Sequence, residues 1–175
     1  MLLLLGDGSQ VGVSELPGDG PWTFLLLQDD PGDAGVAGRL ARFGRVVVPD
    51  LRGRPGWGEP PDGPEFLDLV DDLDQVRTRA GLGRPVLVGL GDLAPVAARA
   101  ATDQPWAWRA LLLSPAPAGL GHLDLPVVVV DAAQEGPAPA EAVERLLDQL
   151  GEGPVGGWST PPGWGCSATG TTRCW

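Results

Sequence analysis

Short, mostly apolar runs alternate with helix-like segments along this chain, and that alternation limits the folds it can adopt. The runs lie at residues 22–27, 45–49, 86–89, 108–113 and 125–131, and their length and composition are typical of strands buried on both faces. Helical spacing is found at residues 33–43, 66–80, 93–102 and 139–150. This order predicts a doubly wound, mostly parallel α/β sheet with right-handed crossovers.

Two further segments refine this prediction. Residues 2–5 and 11–16, separated by a Gly-Asp-Gly-Ser turn, predict an N-terminal β-hairpin. The helix at 66–80 is expected to bury a stripe formed by Leu67, Val70, Leu73 and Val76. Its acidic residues Asp71, Asp72 and Asp74 are interpreted as a solvated face.

Charge and length restrict the class of protein. The chain has 175 residues and a net charge of −11, which argues against nucleic acid or an anionic membrane as partner. The N-terminus lacks a basic region before its leucine run, and no stretch is long enough to span a membrane. These features predict a cytoplasmic protein with one domain over residues 1–151. One histidine and two C-terminal cysteines predict no metal site, and no cofactor is expected.

The segment from Arg84 to Ala94 predicts a buried strand, a sharp turn and the start of a helix, with Gly91 at the tip of the turn. Together with the runs at 24–32, 45–53 and 109–117, it resembles the α/β-hydrolase family over about residues 5–150. In that family a turn of the form G-x-S-x-G carries the nucleophilic serine. The resemblance therefore implies an α/β-hydrolase fold, and no lid is expected because residues 117–125 are too few for a cap domain.

The functional positions of the family do not carry over to this sequence. Gly91 stands at the nucleophile position, and Gln28-Asp29 stands where the family has His-Gly at its oxyanion loop. The acid position matches Asp131 or Glu135, but the single histidine, His122, precedes that strand instead of following the last one. Two of the three members of a catalytic triad are thus missing. We therefore expect a protein that is not an enzyme, with a degenerate elbow at Gly89, Gly91 and Asp92.

Several single residues have alternative interpretations. Asp92 is either a displaced carboxylate nucleophile, as in dehalogenase relatives of the family, or an N-terminal cap of the following helix, which is favoured. His122 is interpreted as a loop residue, and Trp106 and Trp108 as residues that flank or pack on a strand instead of stacking on a ligand. The glycine-rich loop at residues 52–58 lacks the lysine of a phosphate-binding loop.

The composition changes after residue 151. Residues 152–157 are rich in glycine and are interpreted as a linker. Residues 158–175 contain three of the seven tryptophans, both cysteines and no acidic residue. This tail resembles the core of a ribosomally made and modified peptide of the lanthipeptide type, in which a cysteine thiolate adds to a dehydrated serine or threonine. The candidate modification residues are Ser159, Thr160, Cys166, Ser167, Thr169, Thr171, Thr172, Cys174 and Trp175.

That resemblance implies a precursor whose folded domain acts as the recognition leader for its tail. Gly156-Gly157 is the candidate cleavage site, and the implied partners are peptide-modifying enzymes and a processing protease or exporter, with the processed tail exported. Two alternatives stay open: a non-catalytic scaffold that binds a ligand or partner, and a hydrolase with an atypical site. The tail itself is alternatively a frayed terminus with an incidental Cys166–Cys174 disulfide, or the last strand and helix of the fold.

Overall fold

The chain forms a seven-stranded mixed sheet with helices on both faces, as seen in a computed structural model that describes residues 1–30, 34–51, 53–54, 63–115, 117–118, 120 and 123–129. The strands are β1 (Leu2–Leu4), β2 (Gln10–Leu16), β3 (Trp22–Leu27), β4 (Gly44–Asp50), β5 (Val86–Leu90), β6 (Ala110–Ser114) and β7 (Val127–Val129). The helices are α1 (Ala34–Leu40), α2 (Pro64–Arg79) and α3 (Ala94–Asp103), with 3₁₀ turns at Gly91–Leu93 and Pro105–Ala107.

Some predicted features lie outside the described residues. They are the helix at 139–150, the linker at 152–157, the tail at 158–175, most of the loop at 52–58, and the residues Asp33, His122, Asp131 and Glu135.

The strand order is β1-β2-β4-β3-β5-β6-β7, which confirms the doubly wound, mostly parallel prediction. The predicted hairpin is the antiparallel pair β1–β2, and β2 also pairs antiparallel with β4. All remaining pairs are parallel. The chain passes from β3 outward to β4 and then crosses back to β5 on the other side of β3. The winding direction therefore reverses between β3 and β5, the place where open α/β sheets bind ligands.

The sheet is buried on both faces because its central strands alternate between two apolar layers. Leu25 and Leu27 of β3 face the layer that contains α2 and α3, whereas Phe24 and Leu26 face the layer that contains α1. Side chains two residues apart share a face of a strand, so a continuous apolar run supplies both layers at once.

The buried face of α2 differs from the predicted stripe at one position. Leu67 is 39% exposed, and the apolar residues that α2 buries are Phe66, Leu69, Val70, Leu73 and Val76. The predicted residues recur every third position. Such a row drifts by about 60° per step around a helix of about 3.6 residues per turn, so its first member leaves the core.

Helix α3 approaches β5 so closely that Gly89 has no room for a side chain. A Cβ atom at Gly89 would lie 2.5 Å from the Cβ of Ala97 and 3.0 Å from the Cα of Ala94. The glycine therefore allows the contact that fixes where α3 begins relative to the end of β5.

We predict that Gly89→Ala lowers the free energy of unfolding by about 1–3 kcal/mol, because overpacking displaces α3 from β5. Gly38→Ala is the matched control: Gly38 lies on the exposed side of α1, and no atom of the described residues would lie within 4 Å of its new Cβ. The Gly38 substitution should raise the free energy of unfolding by about 0.5–1 kcal/mol, because alanine is more stable than glycine in the interior of a helix. Urea unfolding measures both. Equal stability of Gly89→Ala and the parent would show that α3 does not depend on this contact.

Candidate functional site

The candidate site lies outside the carboxyl ends of β3 and β5, where the winding direction reverses. Strand β5 ends at Leu90, and the 3₁₀ turn Gly91–Leu93 leads directly into α3. Gly91 has φ +57°, in the left-handed region that glycine adopts without steric cost. The predicted strand, sharp turn and helix are therefore present, with Gly91 at the tip.

The carboxylate of Asp29 occupies the space above this tip. Leu26 pairs with Val88 and Leu27 with Gly89, so two residues further on Asp29 reaches the level of Gly91. A Cβ atom built on Gly91 would overlap Oδ2 of Asp29 and lie 2.9 Å from its Cγ. A carboxylate from β3 thus stands where a side chain from β5 would otherwise begin.

The backbone of the elbow holds this carboxylate. The N–H of Asp92 donates a hydrogen bond to Oδ1 of Asp29 at 3.2 Å. This N–H lies at the start of the turn that precedes α3, where exposed backbone N–H groups favour an anion. With Oδ1 bound, Oδ2 is the oxygen that lies over Gly91. Both aspartates are exposed, so water and small solutes reach the carboxylate.

The residue before Asp29 is a buried polar side chain. Gln28 is 6% exposed, and its Nε2 donates a hydrogen bond to the backbone carbonyl of Asp30 at 2.6 Å. This hydrogen bond therefore links the residues on either side of Asp29, which carries the carboxylate. Sequence comparison with the family marked this pair as a departure from His-Gly but gave no reason to expect the hydrogen bond.

The other half of the same sheet edge contains a buried ion pair that the sequence interpretation missed. Asp72 of α2 is 4% exposed, and its Oδ2 accepts hydrogen bonds from Nε and Nη2 of Arg54 at 2.8 and 2.5 Å. Nη2 of Arg54 also lies 3.4 Å from Oδ2 of Asp7. Burial raises the pKa of Asp72, and Arg54 opposes that shift.

The prediction of a solvated face for Asp71, Asp72 and Asp74 is therefore wrong for Asp72. This residue is three positions after Leu69 and four before Val76, so it shares the buried face of α2. Its pairing joins three parts of the chain, since Arg54 follows β4 and Asp7 lies in the β1–β2 turn.

Three other candidate residues lie in the described part of the chain. The favoured cap assignment for Asp92 is wrong: Leu93 is the N-cap of α3, and no side chain caps it there. Trp108 is buried and donates from Nε1 to the carbonyl of Ala100 at 3.1 Å, as expected for a packed tryptophan. Trp106 is 69% exposed in the 3₁₀ turn that precedes β6.

The remaining candidates lie beyond the described residues. They are the cleavage residues Gly156 and Gly157 and the modification residues Ser159, Thr160, Cys166, Ser167, Thr169, Thr171, Thr172, Cys174 and Trp175. Within the described ranges, no group of three or more histidine, cysteine, aspartate or glutamate residues is placed to hold a metal ion. None of the described helices combines the length and apolar character needed to cross a membrane.

Solved structures that are similar to this chain include several hydrolases. A serine-to-alanine mutant of an N-formylmaleamic acid deformylase from Pseudomonas putida superposes with a TM-score of 0.54 and 26% identity, over 67% of this chain and 46% of its own. A hydrolase from Pseudomonas aeruginosa has a TM-score of 0.56 and 22% identity, over 69% and 47%. A serine-to-glycine mutant of an N-acyl homoserine lactonase, complexed with N-hexanoyl homoserine lactone, has a TM-score of 0.52 and 19% identity, over 72% and 51%.

The chain thus spans about half the length of these structures. No protein-family model matches its sequence, and a search of curated proteins finds no match. The α/β-hydrolase fold expected from the sequence is confirmed.

The expectation that the chain is not an enzyme is contradicted by the same comparison. The structures that share its fold include a deformylase, a hydrolase and a lactonase. That expectation was drawn from a missing serine and a missing histidine.

We predict that Arg54→Met lowers the free energy of unfolding by about 3 kcal/mol at neutral pH, because it leaves the carboxylate of Asp72 buried without its partner. Loss of the arginine raises the pKa of Asp72 further, so the folded variant takes up a proton more readily than the unfolded chain. Its deficit relative to the parent should therefore shrink as the pH falls through that raised pKa and return as the pH rises.

Chemical denaturation of both proteins across a pH series measures this difference. Arg99→Met is the control, because the side chains of Arg99 and its partner Asp103 are each 38% exposed. This substitution should lower the free energy of unfolding by about 0.5 kcal/mol or less. A deficit for Arg54→Met that is no larger than that of the control, or that grows on acidification, contradicts the buried-pair assignment.

Proposed function

We propose that this chain is a hydrolase with an atypical site, in which the carboxylate of Asp29 takes the place of the side chain missing from the elbow. One observation carries the proposal, the overlap of Oδ2 of Asp29 with the Cβ position of Gly91. The hydrogen bond from the N–H of Asp92 supports it, since it orients the carboxylate. The hydrolases that share the fold supply the reaction class.

In this proposal Asp29 acts as a general base on water. Oδ2 takes a proton from a water molecule, and the oxygen of that water attacks the carbonyl carbon of an ester. The tetrahedral intermediate collapses, the bond to the leaving alkoxide breaks, and the alkoxide receives the proton from Asp29. One ester and one water give one carboxylic acid and one alcohol, and the aspartate returns to its starting state.

The elbow amide has a second part in this cycle. A carboxylate accepts a hydrogen bond more strongly than a neutral carboxyl group does. When Asp29 takes up the proton, its hold on the N–H of Asp92 weakens, and this N–H becomes the donor for the oxyanion that develops beside it. The same backbone donor thus orients the base before the attack and stabilises negative charge after it.

The proposed substrates are small acyl compounds with good leaving groups. General base catalysis by one positioned side chain contributes about 10²–10⁴-fold, far less than the combined machinery of a serine triad. The exposure of Asp29 also keeps the reacting group in contact with water instead of a dry cavity. Both features favour activated esters over peptide bonds.

The experiment follows hydrolysis of p-nitrophenyl acetate by the parent, Asp29→Asn and Gly91→Ala. Asp29→Asn should reduce the rate above buffer by about 10²-fold, because the amide cannot accept the proton. Gly91→Ala should reduce it similarly, because its Cβ takes the space of Oδ2. Asp71→Asn, an exposed carboxylate on α2, is the control and should retain the parent rate. A parent rate equal to buffer, or full activity of Asp29→Asn, refutes the proposal.

A second candidate function belongs to the tail and rests on its composition. Residues 158–175 hold six of the twelve serine and threonine residues and both cysteines of the chain, next to the glycine-rich linker. We propose that this tail is the modified part of a peptide precursor, with the folded domain as its recognition leader. A folded leader raises the local concentration of a tethered tail at the modifying enzyme. This role does not require the hydrolase site to be inactive.

We predict that co-expression with a dehydratase and cyclase encoded beside this gene removes one water for each modified serine or threonine. Mass spectrometry should place every loss within residues 158–175, and alkylation should find Cys166 and Cys174 protected. A Cys166→Ala, Cys174→Ala chain is the control, in which dehydration continues without thioether closure. An unmodified tail in the presence of these enzymes contradicts the precursor function.

A further inference from the structure

Gln28 is placed to determine where the carboxylate of Asp29 stands. It is the first residue after β3, so the loop that carries Asp29 begins at this side chain. It is 6% exposed, whereas Asp29 and Asp30 are both exposed. Burying an amide costs free energy unless the amide forms hydrogen bonds. The hydrogen bonds of Gln28 therefore hold its side chain in place between the apolar strand and the solvated loop.

One of these bonds closes the loop around Asp29. Nε2 of Gln28 donates to the carbonyl oxygen of Asp30 at 2.6 Å, two residues along the chain. The bond fixes the backbone on both sides of Asp29, and its buried donor is sheltered from competing water. The carboxylate of Asp29 accepts the bond from Asp92, so the Gln28–Asp30 bond gives this loop a second attachment.

The hydrogen bond from Asp92 to Asp29 tolerates little movement of the loop. The Asp92 bond is 3.2 Å long, near the outer limit for an N–H donor, so a small outward shift of the loop would break it. We infer that Gln28 is a positioning residue, which holds the Asp29–Asp30 segment so that the carboxylate stays over Gly91 and on the elbow amide. This inference rests on the proposed function for its catalytic meaning, but its structural content is tested without turnover.

The test measures the amide proton shift of Asp92 by NMR while the protein is titrated with acid. Carboxylates of Asp92 itself and of Asp30 also influence this shift, so the contribution of Asp29 is the difference between the parent and Asp29→Asn. Gln28→Leu keeps the bulk of the side chain and removes the donor, and Gln28→Met does the same with a flexible chain if the first variant folds poorly. Gln10→Leu is the control, since Gln10 is exposed on β2.

We expect Gln28→Leu and Gln28→Met to lose most of the Asp29 contribution to the shift, whereas Gln10→Leu retains it. In the hydrolysis assay, both Gln28 variants should lower kcat by about tenfold with little change in KM, because a misplaced base slows the reaction without altering substrate binding.

The outcomes separate the two proposals. A Gln28 variant that folds and keeps the full Asp29 contribution overturns the positioning role. Loss of that contribution in a protein with no turnover supports the positioning role and refutes the hydrolase. Absence of any Asp29 contribution in the parent overturns both.

Discussion

Parallel pairing between β3 and β5 determines the position of every group at the candidate site. The register Leu27–Gly89 fixes which residues reach the sheet edge together, and it brings Asp29 level with Gly91. The connections that leave β3 and β5 run in opposite directions, to β4 and to β6, so a crevice forms at the carboxyl ends of these two strands. A shift by one residue would place Gln28 or Asp30 over the glycine instead. The apolar layers resist such a shift, because it would turn Leu25 and Leu27 toward the wrong face.

Two glycines, one on β5 and one in the turn after it, make room for different neighbours. Gly89 removes volume so that α3 can pack against the strand, which fixes the direction in which the elbow amide points. Gly91 removes volume so that a group from another strand can enter. The first glycine serves packing, and the second makes room for the carboxylate that we propose as the base. A side chain at Gly91 and the carboxylate of Asp29 are therefore mutually exclusive, which is why the residue at the tip cannot be interpreted without the residue that faces it.

Much of the fold was predictable, because apolar runs and helical spacing are local signals. The strand Trp22–Leu27 and the order of strands and helices follow from these signals. The inward position of Asp72 was not predictable from composition, because an acidic cluster on a helix does not reveal which member faces a buried arginine. The Asp29–Asp92 contact required the register between strands far apart in sequence. The resemblance to hydrolases marked Gln28-Asp29 as unusual but gave no distance.

The same limitation explains the error about enzymatic activity. A search for a triad tests whether certain residue types occupy certain positions in the sequence. The nucleophile position fails that test, because Gly91 has no side chain. Catalysis depends instead on which groups meet in space, and the carboxylate meets the elbow from β3. The N–H of Asp92, at the turn before α3, donates a hydrogen bond to this carboxylate and orients it. The absence of a side chain at the tip therefore does not leave this edge without a carboxylate, because the segment after β3 supplies the group that we propose as the base.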